Sequence, residues 1–204
     1  MITVLAGVNG AGKSSIGGSK LHDEGLDWYN PDELARALHA QFPDRFMEEI
    51  NSQVWHEGLG RLKEAIRDNT DFAFETTLGG NTITNTLLQA IATGIRVNIW
   101  YCGLESPELH IDRVKARVAR GGHDIPEDKI QARYQTSMQN LCLLATGVHQ
   151  LAVYDNSQPL GSDKKPHIRL LLHFENDKIK VLEQNMPGWA KPVAAVCLQR
   201  GSGK

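Results

Sequence analysis

No apolar run in this 204-residue chain approaches the ~20 residues needed to cross a bilayer. No basic stretch followed by an apolar segment opens the chain either, because Met1 leads straight into ITVLA and a glycine loop. The three cysteines, Cys102, Cys142 and Cys197, are odd in number, widely spaced and without a CxxC pair, which argues against a disulfide framework and a structural zinc site. Eight histidines contain no HExxH arrangement, so no bound transition metal is implied. An excess of one charge is also lacking. The formal net charge of -2 offers no bulk attraction to polyanions or to a membrane surface. With 41% hydrophobic and 23% charged residues, this reads as an ordinary cytosolic globular chain. It is long enough for one well-buried domain and cramped for two.

What is present is a strand–helix alternation. Ile2–Ala6 reads as a buried parallel strand, followed by a helix from Lys13 that Gly17 and Gly18 weaken by roughly 1 kcal/mol each. Leu26–Tyr29 is a second strand, and a helix begins at Asn30. Residues 44–68 repeat Phe46, Ile50, Val54, Leu62 and Ile66 close to a helical face. Asp71–Glu75 is a third strand, Asn81–Thr93 a helix and Ile95–Cys102 a fourth strand. Ser106–Pro107 starts a helix with a hydroxyl cap and a proline in its first turn. Another helix runs from Pro126 to about Thr146, and Leu151–Tyr154 is the fifth strand. This order predicts an α/β fold of the P-loop NTPase/kinase type: a parallel five-stranded sheet flanked by helices. The core is expected over residues 1–156, with a lid around 107–134. Residues 157–204 are expected to form a small C-terminal β appendage and tail on the same domain, two strands around the turn END.

The chemistry starts at Gly7-Val8-Asn9-Gly10-Ala11-Gly12-Lys13-Ser14, which satisfies G-x-x-x-x-G-K-[ST] between a strand and a helix. Glycines let the backbone wrap a polyphosphate with its N–H groups pointing inward. The helix N-terminus adds positive partial charge, Lys13 reaches the phosphates and the Ser14 hydroxyl suits Mg²⁺. Gly7, Asn9, Gly10, Ala11, Gly12, Lys13, Ser14 and Ser15 are the candidate ATP-binding residues, and Ser14 the candidate metal ligand.

Two absences then narrow the use of that nucleotide. The chain has no apolar strand ending in aspartate with a neighbouring glutamate, as motor and transport ATPases have. It also has no N/TKxD element of switch GTPases. Instead Glu75 closes the DFAF strand, and Asp32 stands just past the second strand, both at the carboxyl edge where parallel sheets bind ligands. A carboxylate there can take a proton from a hydroxyl or hold it in line with the terminal phosphate. Capping of a helix accounts for Asn30 and Glu33 but only weakly for Asp32. Arg113, Arg117 and Arg120 line one helical face and lead into Gly121-Gly122-His123-Asp124, a hinge-like turn, and then into a helix carrying Arg133 and Tyr134. Arginines on such a flap can close on a transferring phosphoryl group.

The segments GVNGAGKSS, NPDELA, FAFETT and above all RVKARVARGGHDIPEDKIQARY resemble the zeta-toxin family of small kinases over roughly residues 1–156. The resemblance implies transfer of the γ-phosphate of ATP to a hydroxyl of a UDP-activated amino sugar such as UDP-N-acetylglucosamine. It also implies an antitoxin partner. Carried onto this chain, it makes Asp32 the base, Lys13 the phosphate clamp and Glu75 a substrate-positioning acid. The lid arginines correspond to Arg120 with Arg117 or Arg133. Residues 157–199 match no motif of that family. Two other readings compete: a nucleotide or polynucleotide kinase, which the mild acidity disfavours for polynucleotides, and a non-catalytic ATP-binding module, which the arginine flap disfavours.

Overall fold

The computed structural model describes residues 1–14, 28–122, 124–159 and 166–203. Seven strands form one sheet in the order β2-β3-β1-β4-β5-β6-β7. They are β1 (Ile2–Ala6), β2 (Trp28–Tyr29), β3 (Phe72–Thr76), β4 (Val97–Gly103), β5 (Gln150–Asp155), β6 (Arg169–Glu175) and β7 (Lys178–Leu182). The first five are mutually parallel, as the strand–helix alternation requires. The helices are α1 (Pro31–Gln41), α2 (Met47–Asp68), α3 (Asn81–Ala92), α4 (Pro107–Val118), α5 (Glu127–Ala145) and α6 (Lys191–Gly201). Among the described residues, none is long and apolar enough to cross a membrane.

Local chemistry explains the helix starts. The Asn30 side chain accepts from the backbone N–H groups of Asp32 and Glu33, with Pro31 in the first turn of α1. Ser106 caps α4 through Leu109 N–H, again followed by proline. Helix α2 begins at Met47 rather than at 44, its N-cap being Phe46, and ends on Asn69 in the left-handed region. The Tyr29 hydroxyl donates to the Val54 carbonyl at 2.6 Å, and Gly58 leaves room for its ring, so α2 is held against β2 and the α1 entry. The segment 15–27, which includes Gly17 and Gly18 and the start of the expected strand at 26, lies outside the described residues.

The period-two pattern of the strands divides the core between two faces. Ile2, Val4, Ala6, Phe74, Val97, Ile99, Tyr101, Leu151 and Val153 face one side, where Leu87 of α3 and Leu141 and Leu144 of α5 cover them. Leu5, Trp100, Cys102, Ala152 and Tyr154 face the other.

The C-terminal stretch forms the two expected strands, and the difference from expectation is the strand count of the sheet. β6 pairs antiparallel with β5, and β7 with β6, so the hairpin extends the main sheet from five strands to seven. Asn176 and Asp177 turn it, both at positive φ, as two-residue hairpins require. Leu171, Leu172 and Phe174 are fully buried in the main core, together with Val193 and Cys197 of α6. Helix α6 itself is a departure from the expected β structure, although Pro192 in its first turn and the Val193–Ala194–Cys197 spacing are helical signals. β7 is the edge, and its exposed lysines suit an edge strand.

Because Phe174 is buried in the main core, Phe174→Ala is expected to lower global stability by about 3–5 kcal/mol. Urea unfolding should remain a single transition, where an independent appendage would melt in a separate step.

Candidate phosphate-transfer site

β1 is flanked by β3 on one side and β4 on the other, so the crevice at its carboxyl end is the topological switch point of the sheet. The glycine loop fills that crevice. A peptide unit that points its N–H at an anion points its carbonyl the other way, and in this loop the carbonyls of Gly7, Asn9 and Ala11 each meet a side-chain donor. Lys13 Nζ donates to Gly7 O at 2.8 Å. His110 Nδ1 lies 2.8 Å from Asn9 O and must donate to it. Ala11 O accepts from Asn156 Nδ2 at 2.9 Å and from Cys102 Sγ at 3.0 Å. Gly7 N–H donates to Thr76 O at 3.2 Å and Ala11 N–H to Val8 O at 3.1 Å, so an anion would be held by other N–H groups of the loop. Gly7 sits at φ +141°, and a Cβ there would stand 2.1 Å from Cys102 O, so the loop passes against β4 where only glycine fits.

Lys13 is buried, and its Nζ is 3.4 Å from Glu75 Oε1. Glu75 lies beside Leu5 in register, on the face opposite Phe74. Its Oε2 is buried with no hydrogen-bond partner among the described residues. A buried carboxylate oxygen left unpaired beside a phosphate loop suits a hydrated cation or a substrate hydroxyl, so the residues fit Mg-ATP. Ser14 follows Lys13 at the end of the loop and is exposed. Ser15 and His123 lie outside the described residues.

The structure separates the arginines. Arg133 reaches from α5 to donate to Asn9 Oδ1 at 2.7 Å. Burial pulls its guanidinium below its ordinary value, and the negative charge of Asp32 opposes that. Asn9 and Arg133 are thereby joined, with the charge of Asp32 acting on Arg133. Asp32 itself is exposed at the N-terminal turn of α1. Arg120 is not brought in: it is exposed, and its Nε donates to Ala116 O of its own helix at 3.0 Å. Arg117 packs its stem where a side chain on Gly122 would stand, beneath the turn. Arg113 faces the end of β5 and donates to Asn156 O at 2.6 Å. Lys115 bridges to Glu127 at 2.7 Å and ties α4 to α5 on the solvent side.

Sequence reasoning missed four supports. His110 is 1% exposed, and burial, with the charges of Lys13 and Arg113 adding to it, holds its imidazole down at about 4 although the bond to Asn9 works the other way. A lone histidine three residues before Arg113 carried no signal of this role. Cys102 is an inert donor, because burial pushes its thiol up to about 12. Asn156, just past β5, braces the loop through Ala11 O. The fourth is a polar stripe on α5. Thr136, Ser137 and Asn140 donate to the carbonyls of Gly79, Thr77 and Leu78. This clamps the loop after β3, in which Leu78 takes a left-handed φ of 52°. The spacing 133, 136, 137, 140 on one helical face was a readable signal. Gly79 has no side chain because a Cβ would stand 2.6 Å from Arg133 Cγ.

A central parallel sheet with its glycine loop at the switch point, overlooked by Arg133 of α5, defines a P-loop protein of kinase-like α/β fold. The profile of the Zeta toxin family matches residues 1–160, and the chain belongs to that family. An uncharacterized protein from Haemophilus influenzae is 33% identical over 128 residues, covering 63% of this chain and 88% of that one. Among solved structures, the AvrRxo1-ORF1:-ORF2 complex with ATP superposes with a TM-score of 0.68 at 12% identity, covering 97% of this chain and 63% of that one. The chain thus spans less than two thirds of that structure's length. A kinase candidate from Chloroflexus aurantiacus superposes with a TM-score of 0.52 at 11% identity, over 65% of this chain and 76% of that one. At such identities the likeness is one of fold.

Two outcomes are expected. Gly7→Ala should abolish ATP binding in calorimetry, because the new methyl group cannot fit against the Cys102 carbonyl. Acid should also destabilise the protein through His110. As pH falls from about 6.5 toward 4, the unfolded chain takes up a proton that the folded one refuses, so up to about 3 kcal/mol of stability is lost. His110→Asn should flatten urea-derived stability across that window.

Proposed function

We propose that this chain is an ATP-dependent kinase that transfers the γ-phosphate to a hydroxyl of a small molecule, a UDP-activated amino sugar such as UDP-N-acetylglucosamine. The observation that supports the reading is the hydrogen bond from the Arg133 guanidinium to Asn9 of the phosphate loop, with the Asp32 carboxylate acting on the same guanidinium.

Bound Mg-ATP supplies the phosphoryl group. The loop N–H groups and Lys13 hold its phosphates, and Ser14 and the unpaired Glu75 oxygen are suited to the cation. Asp32 accepts the proton of the acceptor hydroxyl and keeps its oxygen in line. Arg133 offsets the charge that spreads over the phosphoryl oxygens, and closure of the turn after α4 would bring Arg117 and Arg120 over the same group. Membership of the Zeta toxin family supports both the sugar acceptor and an antitoxin partner.

Mass spectrometry after incubation with ATP, Mg²⁺ and mixed UDP-sugars should show one sugar heavier by a phosphate. Lys13→Ala and Asp32→Ala should each reduce transfer by at least about 10²-fold, and Arg133→Ala by a similar factor. Full transfer by Asp32→Ala with every active acceptor would rule out the base assignment.

A further inference from the structure

We infer that His110 is a positioning residue for this transfer, holding Asn9 of the phosphate loop where Arg133 can use it. The inference rests on the kinase reading above. His110 touches Asn9 directly and the neighbour of Arg133 in the chain, Tyr134. Its Nδ1 donates to the Asn9 carbonyl at 2.8 Å, while the Asn9 side chain accepts from Arg133 at 2.7 Å. On its other side the imidazole meets Tyr134, the residue after Arg133, edge-on at 5.6 Å between ring centres. Tyr134 in turn donates its hydroxyl to Glu105 O at 2.8 Å, just ahead of α4. The first turns of α4 thus touch the loop as well as α5, and the His110 carbonyl itself lies where a Cβ on Gly10 would stand, 2.7 Å away.

A histidine suits this place for an electrostatic reason. Lys13, Arg113 and Arg133 already crowd the loop with positive charge. A donor here must add no further cation, and the buried imidazole stays neutral while its Nδ1–H points at the carbonyl. Moving the Asn9 peptide would carry its side chain, and with it the anchor of Arg133, away from the transferring group. His110 contacts no reacting atom. It acts through Asn9.

Two variants of the full chain separate the donor from the ring. His110→Phe keeps the ring against Tyr134 and loses the donor. His110→Asn loses the ring but keeps an amide nitrogen where Nδ1 stood. In γ-phosphate transfer from ATP to UDP-N-acetylglucosamine, His110→Phe is expected to lower kcat by about 10- to 100-fold. KM for ATP should shift by less than about threefold, and His110→Asn should keep kcat within about threefold of the wild type. In an Arg133→Ala background, His110→Phe should add no further loss. A His110→Phe enzyme with wild-type kcat, a His110→Asn enzyme as slow as His110→Phe, or factors that multiply in the double variant would each overturn the role. Should a variant fail to fold, ¹⁵N NMR of the wild-type imidazole decides: an Nδ1–H tautomer supports the role and an Nε2–H tautomer ends it. A wild-type protein that transfers no phosphate to any acceptor overturns the kinase reading itself, a result distinct from all of these.

Discussion

The bracing of the phosphate loop's carbonyls by side-chain donors is the constraint on which the site depends. A peptide group has two polar ends, and aiming one at an anion aims the other into protein. Left unmade there, a buried carbonyl bond costs roughly 1–3 kcal/mol. The chain meets this with donors drawn from distant elements: Cys102 from β4, Asn156 from the end of β5 and His110 from α4. The loop's shape is therefore inherited from the sheet and from α4, and is not a property of its glycines alone. Glycine still decides one point, since no side chain at position 7 fits against β4.

Helix α5 repeats the arrangement on the opposite flank. One stripe of it clamps the loop after β3 and presents Arg133, while Leu141 and Leu144 farther along sit in the main core. The arginine that reaches the loop thus stands on a buried scaffold. Arg117 and Arg120 stand at the far end of α4, next to a glycine turn with Gly121 at φ +86°. Arginines that look alike in sequence thus differ in placement: Arg133 bonds the loop, while Arg120 bonds the end of α4.

Much of the fold was legible because its signals are local. Asn30 and Ser106 cap helices through bonds two and three residues away, and the apolar runs at Ile2–Ala6 and Val97–Gly103 need only be buried on both faces. The C-terminal hairpin was readable as two strands, but its docking was not. Whether LLLHF joins an existing sheet depends on the free edge of β5, which no feature of residues 167–182 reports. Helix α6 was missed beside it, although its proline and apolar spacing were visible.

By itself the sequence determined that a polyphosphate loop lies between a first strand and a helix, and that acids stand at the carboxyl ends of the second and third strands. Those facts depend on spacings of a few residues, which backbone geometry converts directly into shape. Only the tertiary structure decided that Arg133 reaches the loop, that Arg120 turns back onto its own helix, and that His110 braces Asn9. Asn9 is 101 positions from His110 and 124 from Arg133. Contacts over such separations are set by how helices pack on the sheet, and that packing is a property of the whole core.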